Sequence, residues 1–235
     1  MLNLDFLNRH AVVTGGTGAL GTAVVQMLVD AGAVCHIPAH ARPDPARFPL
    51  ARHERVRVTA GIDLTDENAV AGFYSSLPSL WASVHTAGGF SAAPINETTL
   101  AMWKQMLDTN SLTCFLCCRE AVRKIRASGG AGRIVNVAAK PVLVPTGGLS
   151  AYAASKAAVA SLTLSLSEEL AAESIWVNAV IPSLMTHLPT AKPCPRPTST
   201  SGRRCRKSRR RSCFWPPPRI RPHAEPWFPC TAEAD

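Results

Sequence analysis

An α/β fold, with a doubly wound parallel sheet of about six strands, is predicted by three observations. Short apolar, β-branched runs alternate with longer segments of helical periodicity over residues 1–185. Such alternation implies parallel strands covered by helices on both faces. A glycine-rich turn joins the first strand directly to the first helix, where a phosphate-binding loop would lie. A chain of 235 residues is also long enough to bury a sizeable single core.

The first strand is His10-Ala-Val-Val-Thr14, followed by Gly15-Gly-Thr-Gly18-Ala-Leu-Gly21. A helix over 18–31 follows, in which Ala23, Val24, Met27, Leu28 and Ala31 recur at helical spacing. In that setting backbone amides and the helix N-terminus receive a pyrophosphate, and missing Cβ atoms let it approach. Further strands are expected near 33–38, 55–60, 81–86, 132–138 and 175–181, and helices near 66–76, 97–127 and 150–173. Trp81-Ala-Ser-Val-His-Thr-Ala-Gly-Gly89 reads as a buried strand ending in a glycine turn. Asp108-Thr-Asn110 falls within a long helical pattern from Glu97 to Ala127. Tyr152 and Lys156, in Ala151-Tyr-Ala-Ala-Ser-Lys-Ala-Ala-Val159, lie four apart on the last helix and share a face. A free phenol titrates near ~10, and a neighbouring ammonium favours its ionised form. A phenol tuned in this way exchanges a proton with an alcohol or carbonyl oxygen at moderate pH.

From about Phe6 to Met185 the chain resembles the short-chain dehydrogenase/reductase family. The resemblance rests on the glycine loop, Asp63-Leu-Thr65, Ala87-Gly88-Gly89, Asn110, Gly132-Arg-Ile-Val-Asn-Val137, the Tyr152/Lys156 pair and Val177-Asn-Ala-Val-Ile-Pro182. It implies a Rossmann-type domain that moves a hydride between a nicotinamide cofactor and a small-molecule alcohol or carbonyl substrate. It also implies that Tyr152 is the general acid/base and that Lys156 binds the nicotinamide ribose and lowers the tyrosine pKa. Asn110 would hold a water in the proton relay. The implied cofactor contacts are Thr14, Gly15, Thr17, Gly18, Ala19, Leu20, Gly21, His40, Asp63, Leu64, Ala87, Gly88, Gly89, Tyr152, Lys156 and Pro182. Asp63-Leu64 would meet the adenine. Family members are usually homodimers or homotetramers.

The chain departs from the family pattern in three places. Thirteen residues before the tyrosine, where the family carries a catalytic serine, stands Ala139, with Ala138 beside it. Alanine offers no hydrogen bond to a substrate oxygen, and losing one such donor typically costs about a hundredfold or more in rate. Ser150 and Thr146 are nearby hydroxyls that could substitute, and a nucleotide-binding domain with little turnover is the alternative. The loop reads Gly-x-x-Gly-x-x-Gly, with its middle glycine one residue early. After the second strand come Ala39, His40 and Arg42, where an acidic side chain would bind the ribose hydroxyls of NAD. These neutral-to-basic surroundings favour NADP over NAD.

Composition changes after Met185. Residues 1–185 hold 14 Lys+Arg against 13 Asp+Glu, whereas 186–235 hold 11 against 3, with ten of the nineteen prolines and four of the eight cysteines. Such a segment buries too little apolar surface to offset its ordering entropy, so disorder is expected. Arg203-Arg-Cys-Arg-Lys-Ser-Arg-Arg-Arg211 resembles a nucleic-acid arm, but a shifted reading frame accounts for the tail better. In the neighbouring frame, permitted wobble choices turn Arg211 to Ala234 into ILFLASPANPATRGALVPVYGRG followed by a stop. That string resembles the family's last helix and last strand. One base lost after the Met185 codon would leave 186–235 as a frameshift product and the sheet without its final family strand.

No segment is long enough to span a membrane, and Met1-Leu-Asn-Leu-Asp-Phe lacks a signal-peptide pattern, so cytoplasmic residence with reduced cysteines is expected. Cys114, Cys117 and Cys118 read as small buried side chains of the long helix. With no matching His/Cys cluster beside them in sequence, no metal is expected, and His10, His36, His53 and His85 receive no role.

Overall fold

The computed structural model describes residues 5–183, and the tail predictions fall outside them. Six strands form one parallel sheet: β1 (His10–Thr14), β2 (Val34–Ala39), β3 (Val56–Ala60), β4 (Ala82–His85), β5 (Gly132–Val137) and β6 (Ile175–Val180). Their order is β3-β2-β1-β4-β5-β6. The winding direction therefore reverses between β1 and β4, where Ala11 pairs with Ala82 and Thr14 with His85. In such sheets a crevice opens at the carboxyl ends of the two central strands.

The helices are α1 (Ala19–Asp30), α2 (Glu67–Ser75), α3 (Leu100–Met106), α4 (Thr113–Ala127) and α5 (Ser150–Leu170). Consecutive residues of a strand face opposite ways, so Val12 and Val13 enter different cores. Val12 joins Val70, Phe73, Leu116, Ile125, Val159 and Ile175 under α2, α4 and α5. Val13 joins Val25, Val29, Ile37, Phe48 and Val56 under α1. Sequence cues explain the sharper boundaries. The Asp66 carboxylate accepts from the Asn68 and Ala69 amides and starts α2, and the Thr99 hydroxyl accepts from Met102 N to start α3. Buried Glu120 binds Arg119 and Arg123, and Arg119 reaches on to Glu67, which ties α4 to α2.

The long helix expected over 97–127 is corrected in two respects. It begins at Leu100, because the Thr99 cap ends the preceding turn. It is also not one α-helix: Leu107–Leu112 forms a π-helical turn between α3 and α4. Such turns insert one residue into the helical repeat and recur at functional sites. A 3₁₀ turn at Pro49–Arg52, not foreseen from the sequence, carries Leu50 beside Phe48 into the α1-side core. Among the described residues β3 and β6 are the sheet edges, and Trp176 and Val180 of β6 are half exposed.

Candidate active site

A cleft of about 510 Å³ opens at the β1/β4 reversal. Gly15, Thr17 and Gly18 of the glycine loop form one wall, and Pro38 to Ala41 at the end of β2 form the next. Ile62 to Thr65 after β3 and Thr86 to Gly88 after β4 complete it, with Thr109 and Thr113 from the helix opposite. Gly15 has φ +65, and a Cβ there would lie 2.6 Å from Ala87 N, so the turn requires glycine. A Cβ on Gly21 would run into the Gly15 carbonyl, which makes the last glycine a packing position beneath the loop. Gly18 precedes α1 without a side-chain cap, and the first turn of α1 holds no acidic residue. Its free amides and helix dipole suit an anion. Cradle, uncapped helix and cleft together fit a dinucleotide.

Asn110, 1% exposed, sits in the π turn. Its Oδ1 accepts from Gly89 N at 2.9 Å, and its Nδ2 donates to Gly89 O at 3.1 Å and Ser155 Oγ at 3.0 Å. Ser155 Oγ in turn donates to the Tyr152 carbonyl. Lys156 is buried and donates from Nζ to Val137 O at 2.7 Å. Gly88 joins this cluster to the cleft it lines, since a Cβ there would lie 2.7 Å from Asn110 Oδ1 and 3.3 Å from Lys156 Nζ. Burial lowers the Lys156 ammonium below its ordinary value, with a nearby Cys114 charge opposing. Tyr152 packs edge-on against Phe90, with ring centroids 4.9 Å apart. Burial raises its phenol above the ordinary value. The expectation that Lys156 depresses the phenol is thus not met in this geometry. A shared helix face fixes Cβ positions only, and the ammonium turns inward to the β5 carbonyl.

Of the residues foreseen from sequence, Gly15, Thr17, Gly18, His40, Asp63, Leu64, Ala87 and Gly88 line the cleft. Thr14 stands behind it, its carbonyl accepting from Thr86 Oγ1 at 2.7 Å. Ala19, Leu20 and Gly21 form the first turn of α1, and Pro182 accepts from Lys140 N at 3.0 Å, away from the lining. Asp63 is held by Thr65, whose N and Oγ1 donate to it and keep its carboxyl below the usual range. Ala139 is buried and offers only its methyl. The two candidate substitute hydroxyls differ: Thr146 is exposed and donates to Val144 O, whereas Ser150 Oγ is buried and has no partner among the described residues. Sequence reading missed Gly16, where a Cβ would lie 2.9 Å from Val13 O, and Ser155, a polar residue on an otherwise small-residue helix face. It also set Cys114, Cys117 and Cys118 apart from any histidine. The structure buries all three but brings His85 within 4.8 Å of Cys114 and Cys118, ligand atom to ligand atom, because β4 ends beneath α4.

A doubly wound sheet with this loop at its reversal defines a Rossmann-type, dinucleotide-binding class of fold. The short chain dehydrogenase family profile matches residues 9–193, and the chain belongs to that family, whose members use nicotinamide cofactors. It is 35% identical over 187 residues to cis-4-hydroxycyclohexanecarboxylate dehydrogenase of Sinomonas cyclohexanicum, covering 75% of this chain and 73% of the relative. It is 30% identical over 190 residues to a 3beta-hydroxysteroid dehydrogenase of Mediterraneibacter gnavus, covering 76% and 66%. A short-chain type dehydrogenase/reductase from Mycobacterium ulcerans superposes with a TM-score of 0.70 at 27% identity, covering 77% of this chain and 69% of that one. An NAD+-bound xylitol dehydrogenase gives 0.71 at 25%, covering 76% and 71%. No helix among the described residues is long and apolar enough to cross a membrane.

Proposed function

We propose that this short-chain dehydrogenase acts on a small alcohol or carbonyl compound with Tyr152 as general acid/base. The observation that carries the reading is Gly88: it lines the cleft and is the point where Asn110 and Lys156 approach it. A bound nicotinamide dinucleotide supplies or accepts the hydride. The glycine loop and the α1 N-terminus hold its phosphates, and Asp63 and Leu64 face its adenine. Tyr152 moves the proton at the substrate oxygen, Lys156 anchors the ribose, and Asn110, fixed by Gly89 and Ser155, aligns the relay. Ser150, whose buried hydroxyl has no partner among the described residues, replaces the serine missing at Ala139. NADP is preferred over NAD, because the wall at the end of β2 is Ala39, His40 and Ala41, without a carboxylate.

Fluorescence titration with NADPH and NADH, followed by turnover on a panel of carbonyl compounds, tests the reading. Tyr152→Phe should retain binding and lose about 10²–10⁴-fold in turnover. Equal turnover by Tyr152→Phe removes the assignment. Ala139→Ser should raise turnover and Ser150→Ala lower it. The buried methyl of Ala139 favours a second reading, a nucleotide-binding protein with little activity. Binding without turnover in any variant except Ala139→Ser supports that reading.

Residues 186–235 are proposed to be a frameshift product. Among the described residues β6 is a sheet edge, and this supports the reading, since the family's last strand would pair with its backbone there. The chain as written is then poorly soluble or inactive and its oligomer doubtful, whereas a frame-corrected chain folds. The nucleotide sequence around the Met185 codon decides the matter; an intact frame in related strains overturns it.

A further inference from the structure

We propose that His85, Cys114 and Cys118 bind a zinc ion, with Asn136 as fourth ligand, in a site buried beneath the nucleotide cleft. His85 ends β4, and Cys114 and Cys118 lie one helical turn apart on α4. All three are buried, and their ligand atoms lie within 4.8 Å of one another. Among the described residues no other group of three His, Cys, Asp or Glu ligands comes so close.

The distances suit a tetrahedral ion. With zinc bonds of about 2.3 Å to sulfur and about 2.0 Å to nitrogen, tetrahedral angles place S and N about 3.5 Å apart. Cys118 Sγ lies 3.5 Å from His85 Nδ1 and 3.5 Å from Asn136 Oδ1. The edge from His85 Nδ1 to Asn136 Oδ1, now 2.8 Å, must widen by about half an ångström, and Cys114 Sγ, within 4.8 Å of the His85 and Cys118 ligand atoms, closes the fourth corner.

Surrounding groups orient the ligands. His85 Nε2 lies 2.8 Å from Ser83 Oγ, which lies 2.9 Å from Tyr74 OH. A proton on Nε2 directed at Ser83 leaves the Nδ1 lone pair facing the two sulfurs. Asn136 Nδ2 donates to Thr163 Oγ1 at 2.9 Å, which turns its Oδ1 to the same point. Binding expels both thiol protons, so two thiolates, a neutral imidazole and an amide oxygen surround a dication. The assembly is net neutral, which suits a water-excluded site near Lys156. Cuprous ion would leave a net negative charge there, and magnesium or calcium would not take thiolates.

The site is placed to influence the cleft. His85 directly precedes Thr86, Ala87 and Gly88, and Cys114 follows Thr113, all cleft-lining residues. A zinc ion would tie the cleft wall after β4 to the helix opposite.

The test is made on the full chain, purified without chelator. Metal analysis should find about one zinc per chain, and added cobalt should give thiolate-to-cobalt absorption with intense visible bands of a tetrahedral ion. Cys194, Cys205, Cys213 and Cys230 offer a competing source of thiolates, so variants assign the site. Cys114→Ser and Cys118→Ser should each lower zinc affinity at least tenfold, Ser83→Ala about 10–100-fold, and Cys117→Ser not at all. If a ligand variant fails to fold, the zinc absorption edge of the parent chain decides instead, with two sulfur and two lighter scatterers expected. The proposal is overturned if zinc stays well below one per chain after equilibration with excess metal. It is also overturned if the cobalt bands survive Cys118→Ser, or if the absorption edge shows four sulfurs.

Discussion

Replacing Gly88 by alanine should damage stability and cofactor binding together. The new Cβ would lie 2.7 Å from Asn110 Oδ1 and 3.3 Å from Lys156 Nζ. Carbon and oxygen approach to about 3.3 Å without a bond between them, so the Asn110 amide must move by about 0.6 Å. That displacement stretches the 2.9 Å bond from Gly89 N beyond hydrogen-bonding range and disturbs the 3.0 Å bond to Ser155. Leaving one buried group unsatisfied costs about 1–3 kcal/mol. For a domain of this size, about 2 kcal/mol lowers Tm by about 4–8 °C. Gly72→Ala is the matched control: it lies inside α2 with nothing within 4 Å of the added carbon, and should gain about 0.5–1 kcal/mol. Thermal melts followed by circular dichroism, with NADPH fluorescence titration alongside, read both effects. A Gly88→Ala protein that melts within about 1 °C of the parent and binds cofactor equally would show that Asn110 and Lys156 are not held against this turn.

Two further outcomes concern pH. His10 Nδ1 and His36 Nε2 lie 2.8 Å apart, and burial, with His10 and Arg57 adding, pushes His36 down to about 4. The unfolded chain binds that proton from about 6.5 downward, so stability is complete above that pH and falls as pH drops towards 4. The loss is roughly 1–2 kcal/mol once the partial exposure of His36 is allowed for; His36→Val should flatten the Tm profile over that window, and an unchanged profile refutes the assignment. Burial also raises the phenols of Tyr74 and Tyr152, the chain's two tyrosines. Their contribution to stability is therefore present below ~10 and lost as pH rises further. Near-ultraviolet titration should show both steps above ~10, one of them removed by Tyr152→Phe; a step near neutrality that disappears in that variant would restore the lysine-tuned phenol.

Contiguous features were legible in the sequence. β1, the glycine loop and α1 announce themselves within about twenty residues, because strand alternation, turn chemistry and helical spacing are local properties. Gly15, Gly18, Asp63 and Ala87 could be assigned to the cleft because each follows a strand at the same sheet edge. Features set by packing were hidden. Thr109 and Thr113 reach the cleft from within and just after the π turn, and Asp108-Thr-Asn110 carries no mark of the extra residue. The inward turn of Lys156 to Val137 O depends on β5, nineteen residues away. His85 meets Cys118 across thirty-three residues, a distance at which sequence spacing holds no geometric information.

The π turn at Leu107–Leu112 amounts to a phase slip between two screws. One inserted residue rotates everything beyond it by about 100° relative to α3. α3 can therefore present Met106 to the Asn110 amide while α4, on a different clock, presents Cys114 and Cys118 to β4 and Glu120 to its arginines. Deleting any single residue of the turn would heal it into ordinary helix, and those appointments could not all be kept. Outside Asn110, the segment should thus tolerate substitution far better than a change in length.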